Sequence, residues 1–122
     1  AGLAQPPVSE ASVQERLLTY SAGDFREHLP VPHPRFHDVR LARIVSSDGP
    51  PQYLLCGDVA SEGPGERDAR TRFATVQTSG YEQWIGAHAV GLCERASIVA
   101  DGEDLSPVLQ ERFDALAPSE RR

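Results

Sequence analysis

Two cysteines, Cys56 and Cys93, and four histidines, His28, His33, His37 and His88, are the residues of this chain best suited to chemistry. A thiolate beside a histidine makes a nucleophilic dyad. Two thiolates and two imidazoles make a tetrahedral zinc site, and two thiols make a disulfide. The cysteines are 93 − 56 = 37 positions apart and form no CxxC, which excludes a thioredoxin-like motif and a zinc knuckle on spacing. Cys56 lies in YLLCGDV, residues 53–59, between Leu55 and Gly57 and near the acidic Asp58. An apolar strand and a carboxylate both raise a thiol pKa, whereas a nucleophile needs it lowered. A Cys56–His88 dyad would require the fold to bring the two side by side.

His33 and His37 are four apart, the spacing of two ligands on one helical face. Pro34 biases His33 to extended backbone, and in a strand the two would stand ~13 Å apart, too far for one metal. They read as surface or loop histidines. The alternative is a small metal-dependent or hydrolytic enzyme built on His28, His33, His37 and Asp38. All twelve basic residues are arginine, so no lysine is present for Schiff-base or general-base work. No convergent set of acid, base and nucleophile stands out. No catalytic residue, metal ligand or cofactor is assigned.

These residues must be positioned by regular elements. Ser9 or Ser12 can cap a helix, and Ser12-Val13-Gln14-Glu15 fits the S-x-x-E capping box. Val13, Leu17 and Tyr20 recur at helical spacing, with Leu18 beside them; Gly23 is read as an interruption before one further turn at 24–28. Pro30, Pro32 and Pro34 then force extended backbone. Alternation predicts strands over 36–45, 52–60 and 71–77, separated by a Ser/Asp/Gly/Pro turn at 46–51 and a polar loop at 61–70. In the second strand Tyr53, Leu55 and Gly57 share one face, and Leu54, Cys56 and Asp58 the other. In the third, Phe73 and Thr75 oppose Ala74 and Val76. After a turn at Ser79-Gly80, the spacing of Ile85, Ala89, Leu92 and Cys93 predicts a helix over 81–96, weakened by Gly86 and Gly91, with Trp84 and His88 on a neighbouring stripe. An apolar link at 97–100 and a turn at Asp101-Gly102 lead to a last helix. Ser106 is its expected N-cap, Pro107 its first residue, Leu109, Phe113 and Leu116 its apolar stripe, and Pro118 its end.

The expected architecture is α+β: an N-terminal helix, an antiparallel three- to four-stranded meander, and C-terminal helices packed on the sheet. Residues 1–8 read as a flexible leader, 9–117 as one domain and 118–122 as a flexible tail. The 122 residues suit one domain. A net charge of −6 and a pI near 5.1 argue against nucleic-acid binding and against anionic membranes. No run has the length of a membrane-spanning helix. AGLAQPP, at the start, has the small residues left behind when a signal peptide is removed.

Within that architecture Cys56 points inward from a central strand, and Cys93 ends a helix that must pack on the sheet. A disulfide between them fits best. It would add roughly 4 kcal/mol in the chain-entropy model and imply an oxidising compartment. Two separately buried thiols in a reducing compartment remain the alternative.

PRFHDVR, then YLLCGDV, then a strand beginning RF and a Trp-containing helix ending in cysteine resemble a family of small secreted proteobacterial proteins of unknown function, some of them lipoproteins. The positions that carry the resemblance are Phe36, Val39, Arg40, Tyr53, Cys56, Gly57, Val59, Phe73, Trp84 and Cys93, within about residues 35 to 95. The family's Asn- and Gly-rich aromatic turn is replaced here by SEGPGERDAR, in which Glu62, Glu66 and Asp68 read as a solvated loop. The resemblance implies an exported protein with Cys56 and Cys93 paired, and supplies no catalytic residues. The expected function is therefore that of a small periplasmic or secreted non-catalytic domain that binds a protein or envelope partner. An exposed Trp84 or Tyr81 would be its anchor; packing into the core is the competing role for both.

Overall fold

The structure, a computed structural model, describes residues 10–28, 33–45, 49–61, 70–99 and 103–116. The leader at 1–8, the Ser9 cap, Pro30 and Pro32, the turn residues 46–48, the acidic residues of the 62–69 loop, Asp101 and Gly102, and the 118–122 tail lie outside the described residues.

The first helix, α1, spans Glu10–His28 and buries Val13, Leu17, Leu18, Ala22 and Phe25 along one stripe. It is already helical at Glu10, so Ser12 sits inside it and is not a cap; Glu15 is engaged by Arg112 instead. Nor does Gly23 interrupt it. A mid-helix glycine costs only ~1 kcal/mol, whereas burying the Phe25 side chain just beyond it gains about 1.5–3 kcal/mol.

Five strands follow: β1 (Pro34–Ile44), β2 (Gln52–Ser61), β3 (Arg70–Gln77), β4 (Tyr81–Ile85) and β5 (Ser97–Ile98), with α2 (Ala87–Arg95) between the last two and α3 (Ser106–Ala115) after them. All pairings are antiparallel, in the order β4-β3-β2-β1-β5. The alternation in β2 and β3 divides their side chains as their sequence predicts. Leu55, Val59 and Phe73 join α1 and α3 in the larger core; Leu54, Cys56, Ala74 and Val76 join Ala89 of α2 on the other face. All four phenylalanines of the chain meet in the larger core. Phe25 lies edge-on to Phe36 and Phe73 at 5.0 Å each, and Phe36 to Phe113 at 5.8 Å. Arg26 clamps α1 to α3: its guanidinium lies 3.9 Å over the Phe113 ring and donates to the Phe113 carbonyl.

The helix expected over 81–96 is a strand and a helix. YEQWI continues the β3 hairpin, from Gln77↔Tyr81 to Phe73↔Ile85, and the Gly86 N–H extends the ladder to the Arg72 carbonyl. Gly86, at φ 94°, then turns the chain into α2. Pairing with β3 supplies the strand with inter-strand hydrogen bonds. The apolar helical spacing holds only from Ala89 onward, and Ile85 is exposed. β5 turns the expected link at 97–100 into a short edge strand, so the sheet has five strands rather than three or four. Leu116 lies just past α3 and is exposed.

Between His37 and Arg40 the register of β1 slips. His37 faces Asp58 and Arg40 faces Cys56, so Asp38 and Val39 share the position opposite Gly57. Asp38 takes φ 54°, a conformation aspartate tolerates better than most residues. The slip puts Phe36 and Val39, three apart, into the same core. The Val39 backbone faces the edge of β1 away from β2, beyond the reach of β5, and the start of α3 supplies its partners. The Val39 N–H donates to Ser106 Oγ (3.0 Å) and its carbonyl accepts from the Leu105 N–H (2.7 Å). Ser106 therefore serves the bulge, and it does not cap α3. The carboxylate that receives a helix-start N–H is Asp104, 3.0 Å from Ser106 N. Hydrogen bonds from the Ser106 side chain and backbone hold the Asp104 carboxyl below its ordinary titration range. No helix among the described residues is long and apolar enough to cross a membrane.

Candidate functional site

Cys56 is central in β2 and buried, and Cys93 is in the last turn of α2. Their sulfurs lie 2.16 Å apart, at disulfide distance, with Cα atoms 6.0 Å apart. The pair ties α2 to the sheet, and the thiol that YLLCGDV offered for nucleophilic chemistry is engaged in it. His88 does not approach as a base; it stacks on Trp84.

The remaining histidines separate. His28, at the end of α1, sits 3.2 Å from the Asp24 carboxylate. His33 is exposed ahead of β1 at φ 47°. His37 and Asp38 open onto a groove of about 760 Å³ between β1 and α3, shared with Arg35, Asp104, Gln110 and Asp114. Among the described residues, no three His, Cys, Asp or Glu side chains come together in a group that could hold a metal ion. Gln110 is committed to structure, accepting from the Phe36 N–H and donating to the Pro34 carbonyl.

A different surface is more fully formed. β4 is an edge strand carrying aromatic side chains on both faces. On the α2 side, Trp84 is 37% exposed, yet its ring is stacked 4.1 Å from His88 at 29°, and its indole N–H donates to Glu82 (3.1 Å). The turn at Gly86 is what brings the first turn of α2 back over Trp84. Val90 of α2 is exposed as well, and so is Ile85 on the opposite face of β4. On the α1 side, Tyr81 is half-buried and stacks on Tyr20 at 5.1 Å and 23°. The Tyr20 hydroxyl is pushed up from its ordinary pKa by burial first, then by the charges of Asp24, Glu27 and Glu82. Such a surface can stack rings or guanidinium groups and accept hydrogen bonds.

Reading 81–96 as one helix concealed this edge. The signal that reveals it is the pair of β-rich runs TRFATVQ and YEQWI on either side of the T-S-G turn, a hairpin pattern. Tyr81 packs, as expected of a core aromatic; Trp84 does not.

No protein-family model matches the chain, and no curated protein or solved structure matches it.

Proposed function

We propose that this chain is an exported, non-catalytic domain that docks a protein or envelope partner on the Trp84 surface. The observation that carries the reading is Trp84 itself. It is a large aromatic left in solvent but held in one orientation by His88 and Glu82, so little side-chain freedom is lost when a partner covers it. The location is supported by Cys56 and Cys93 standing at disulfide distance, since such pairs persist in oxidising compartments. It is also supported by the likeness of residues 35 to 95 to small secreted proteins.

The test immobilises wild-type protein and Trp84→Ala and exposes both to envelope extract. Wild type is expected to retain a partner that Trp84→Ala loses by at least tenfold, with both proteins melting alike. Equal retention removes Trp84 as the anchor. Alkylation of unreduced protein, followed by intact mass, checks the compartment. No label is expected, and two labelled thiols would place the chain in a reducing environment.

A further inference from the structure

β4 is one of two sheet edges, and the two differ. β5, at the other edge, has two residues, too short to template another strand. β4 has five, with no proline, no bulge and a single charge, Glu82. Its outer edge pairs with no other strand among the described residues.

The hydrogen-bond phase of this edge follows from one contact. Gly86 N donates to Arg72 O, so 72 and 86 are a hydrogen-bonded pair of the antiparallel ladder. The alternation then makes Trp84 and Glu82 the residues whose backbone faces β3. The N–H and carbonyl groups of Tyr81, Gln83 and Ile85 face outward. An added strand would bond to these three and send its own side chains alternately to the two faces. One set would fall beside Trp84, His88 and Glu82. The other would fall into a hollow of about 410 Å³ lined by Glu15, Arg16, Thr19, Tyr20 and Tyr81.

The charge of the surroundings selects the occupant. Asp24, Glu27 and Glu82 all act on Tyr20, which lines the hollow with Glu15, against two arginines: Arg16 in its lining and Arg112, which binds Glu15 and Thr19. The chain as a whole carries −6. A second copy would bring the same net negative charge to the contact. We propose that the outer edge of β4 binds an extended, cationic segment of a partner polypeptide as a sixth strand, with arginine or lysine side chains against Glu82 and Trp84 and apolar ones in the Tyr20–Tyr81 hollow. This rests on the partner-binding role assigned to Trp84, and names the form and charge of what binds there.

Trp84 is the only tryptophan, so its emission reports the site directly. The probe is a ten-residue peptide alternating arginine and valine, titrated into the full chain at low salt. A saturable change in Trp84 emission is expected, weakening at least tenfold in 0.5 M salt, with no change from a glutamate–valine peptide. An arginine–proline peptide keeps the charge but has proline at the valine positions, whose N–H groups face β4 in the antiparallel register with arginines against Glu82, and is expected to bind at least tenfold more weakly. Gln83→Pro removes an outward N–H at an edge position that tolerates proline, together with the Gln83 Oε1 that accepts from the buried Thr75 hydroxyl, and is expected to abolish binding while lowering the melt without unfolding the domain. Should that variant unfold, Glu82→Arg supplies the decision: it is expected to reduce affinity at least tenfold. Equal binding of the arginine–proline peptide, or no effect of either substitution in folded protein, overturns the inference. So does dimerisation of the protein alone that Gln83→Pro abolishes, which would make the occupant a second copy. If Trp84→Ala loses the envelope partner while Gln83→Pro and Glu82→Arg keep it, the binding role stands and the strand addition falls.

Discussion

A side chain at position 57 would have nowhere to go. A Cβ on Gly57 would stand 2.7 Å from Val39 Cγ2 and 3.1 Å from two atoms of the Phe73 ring. Phe73 is its direct partner on β3, and Val39 reaches it because the bulge in β1 lies opposite. Both neighbours are fully buried in the larger core and cannot move away. Gly57→Ala is therefore expected to destabilise the fold by about 1–3 kcal/mol, read as a lower urea midpoint at unchanged slope. An unchanged midpoint would mean that the bulge relaxes to make room. A glycine inside a strand signals a close approach or a bulge; what approaches Gly57 is two strand side chains, with the bulge of β1 opposite it. Pleat alternation sorts the residues of one strand onto its faces, but the residue opposite depends on a register set by the partner strand. Asp38 shows the same limit. Its left-handed φ and the slip it creates leave no periodic trace beyond the three-residue spacing of Phe36 and Val39.

At the scale of elements, the joint between β1 and α3 decides more than either alone. Beside the β1 bulge, Val39 faces the edge that β5 does not reach, and Ser106 Oγ and the Leu105 N–H are its backbone partners there. Ser106 is 8% exposed, so no water substitutes readily for the hydroxyl. Ser106→Ala leaves the Val39 N–H buried without a partner, at an expected cost of about 1–3 kcal/mol. Ser106→Thr, which keeps a hydroxyl, is expected to recover part of that stability in the same chemical unfolding measurement. A loss no larger than that of an ordinary cap substitution in a solvated helix would remove the clamp. Helix existence was readable here from Pro107, Leu109 and Phe113, because 3.6-residue periodicity is a local property. The use of Ser106 was not, since its partner is 67 positions away. The second hairpin failed for the opposite reason. Tyr81 to Ile85 has a strand's composition, but a helical period begun at Ile85 and continued through Ala89, Leu92 and Cys93 competes with it over the same residues. The β3 edge wins, and it exposes Trp84 where the candidate site forms.

Across the whole molecule the two faces of the sheet are held unequally. The α1–α3 face has the phenylalanine cluster, the Arg26 clamp and the contacts of Arg112 with Glu15 and Thr19. The opposite face is covered by the nine residues of α2, of which only Ala89 is fully buried, with Leu92 and Cys93 half-buried beside it. An isolated helix of that length does not hold itself together in water. The covalent tie between Cys56 and Cys93 is thus the principal restraint on α2, whereas the larger core does not depend on it. In the chain-entropy model a crosslink spanning 37 positions contributes roughly 4 kcal/mol. That share is large enough to separate the two layers. Reduction is expected to release α2 first. Amide exchange should accelerate across Ala87–Arg95 at reductant levels that leave β1, β2 and α1 protected, and Trp84 emission should shift as His88 leaves its ring. The Cys93→Ala variant should reproduce that pattern without reductant. Simultaneous loss of protection in α2 and in the central strands would show instead that both layers open as one cooperative unit. The outcome bears on function as well, because the ring that holds Trp84 in place is carried by the element that reduction frees.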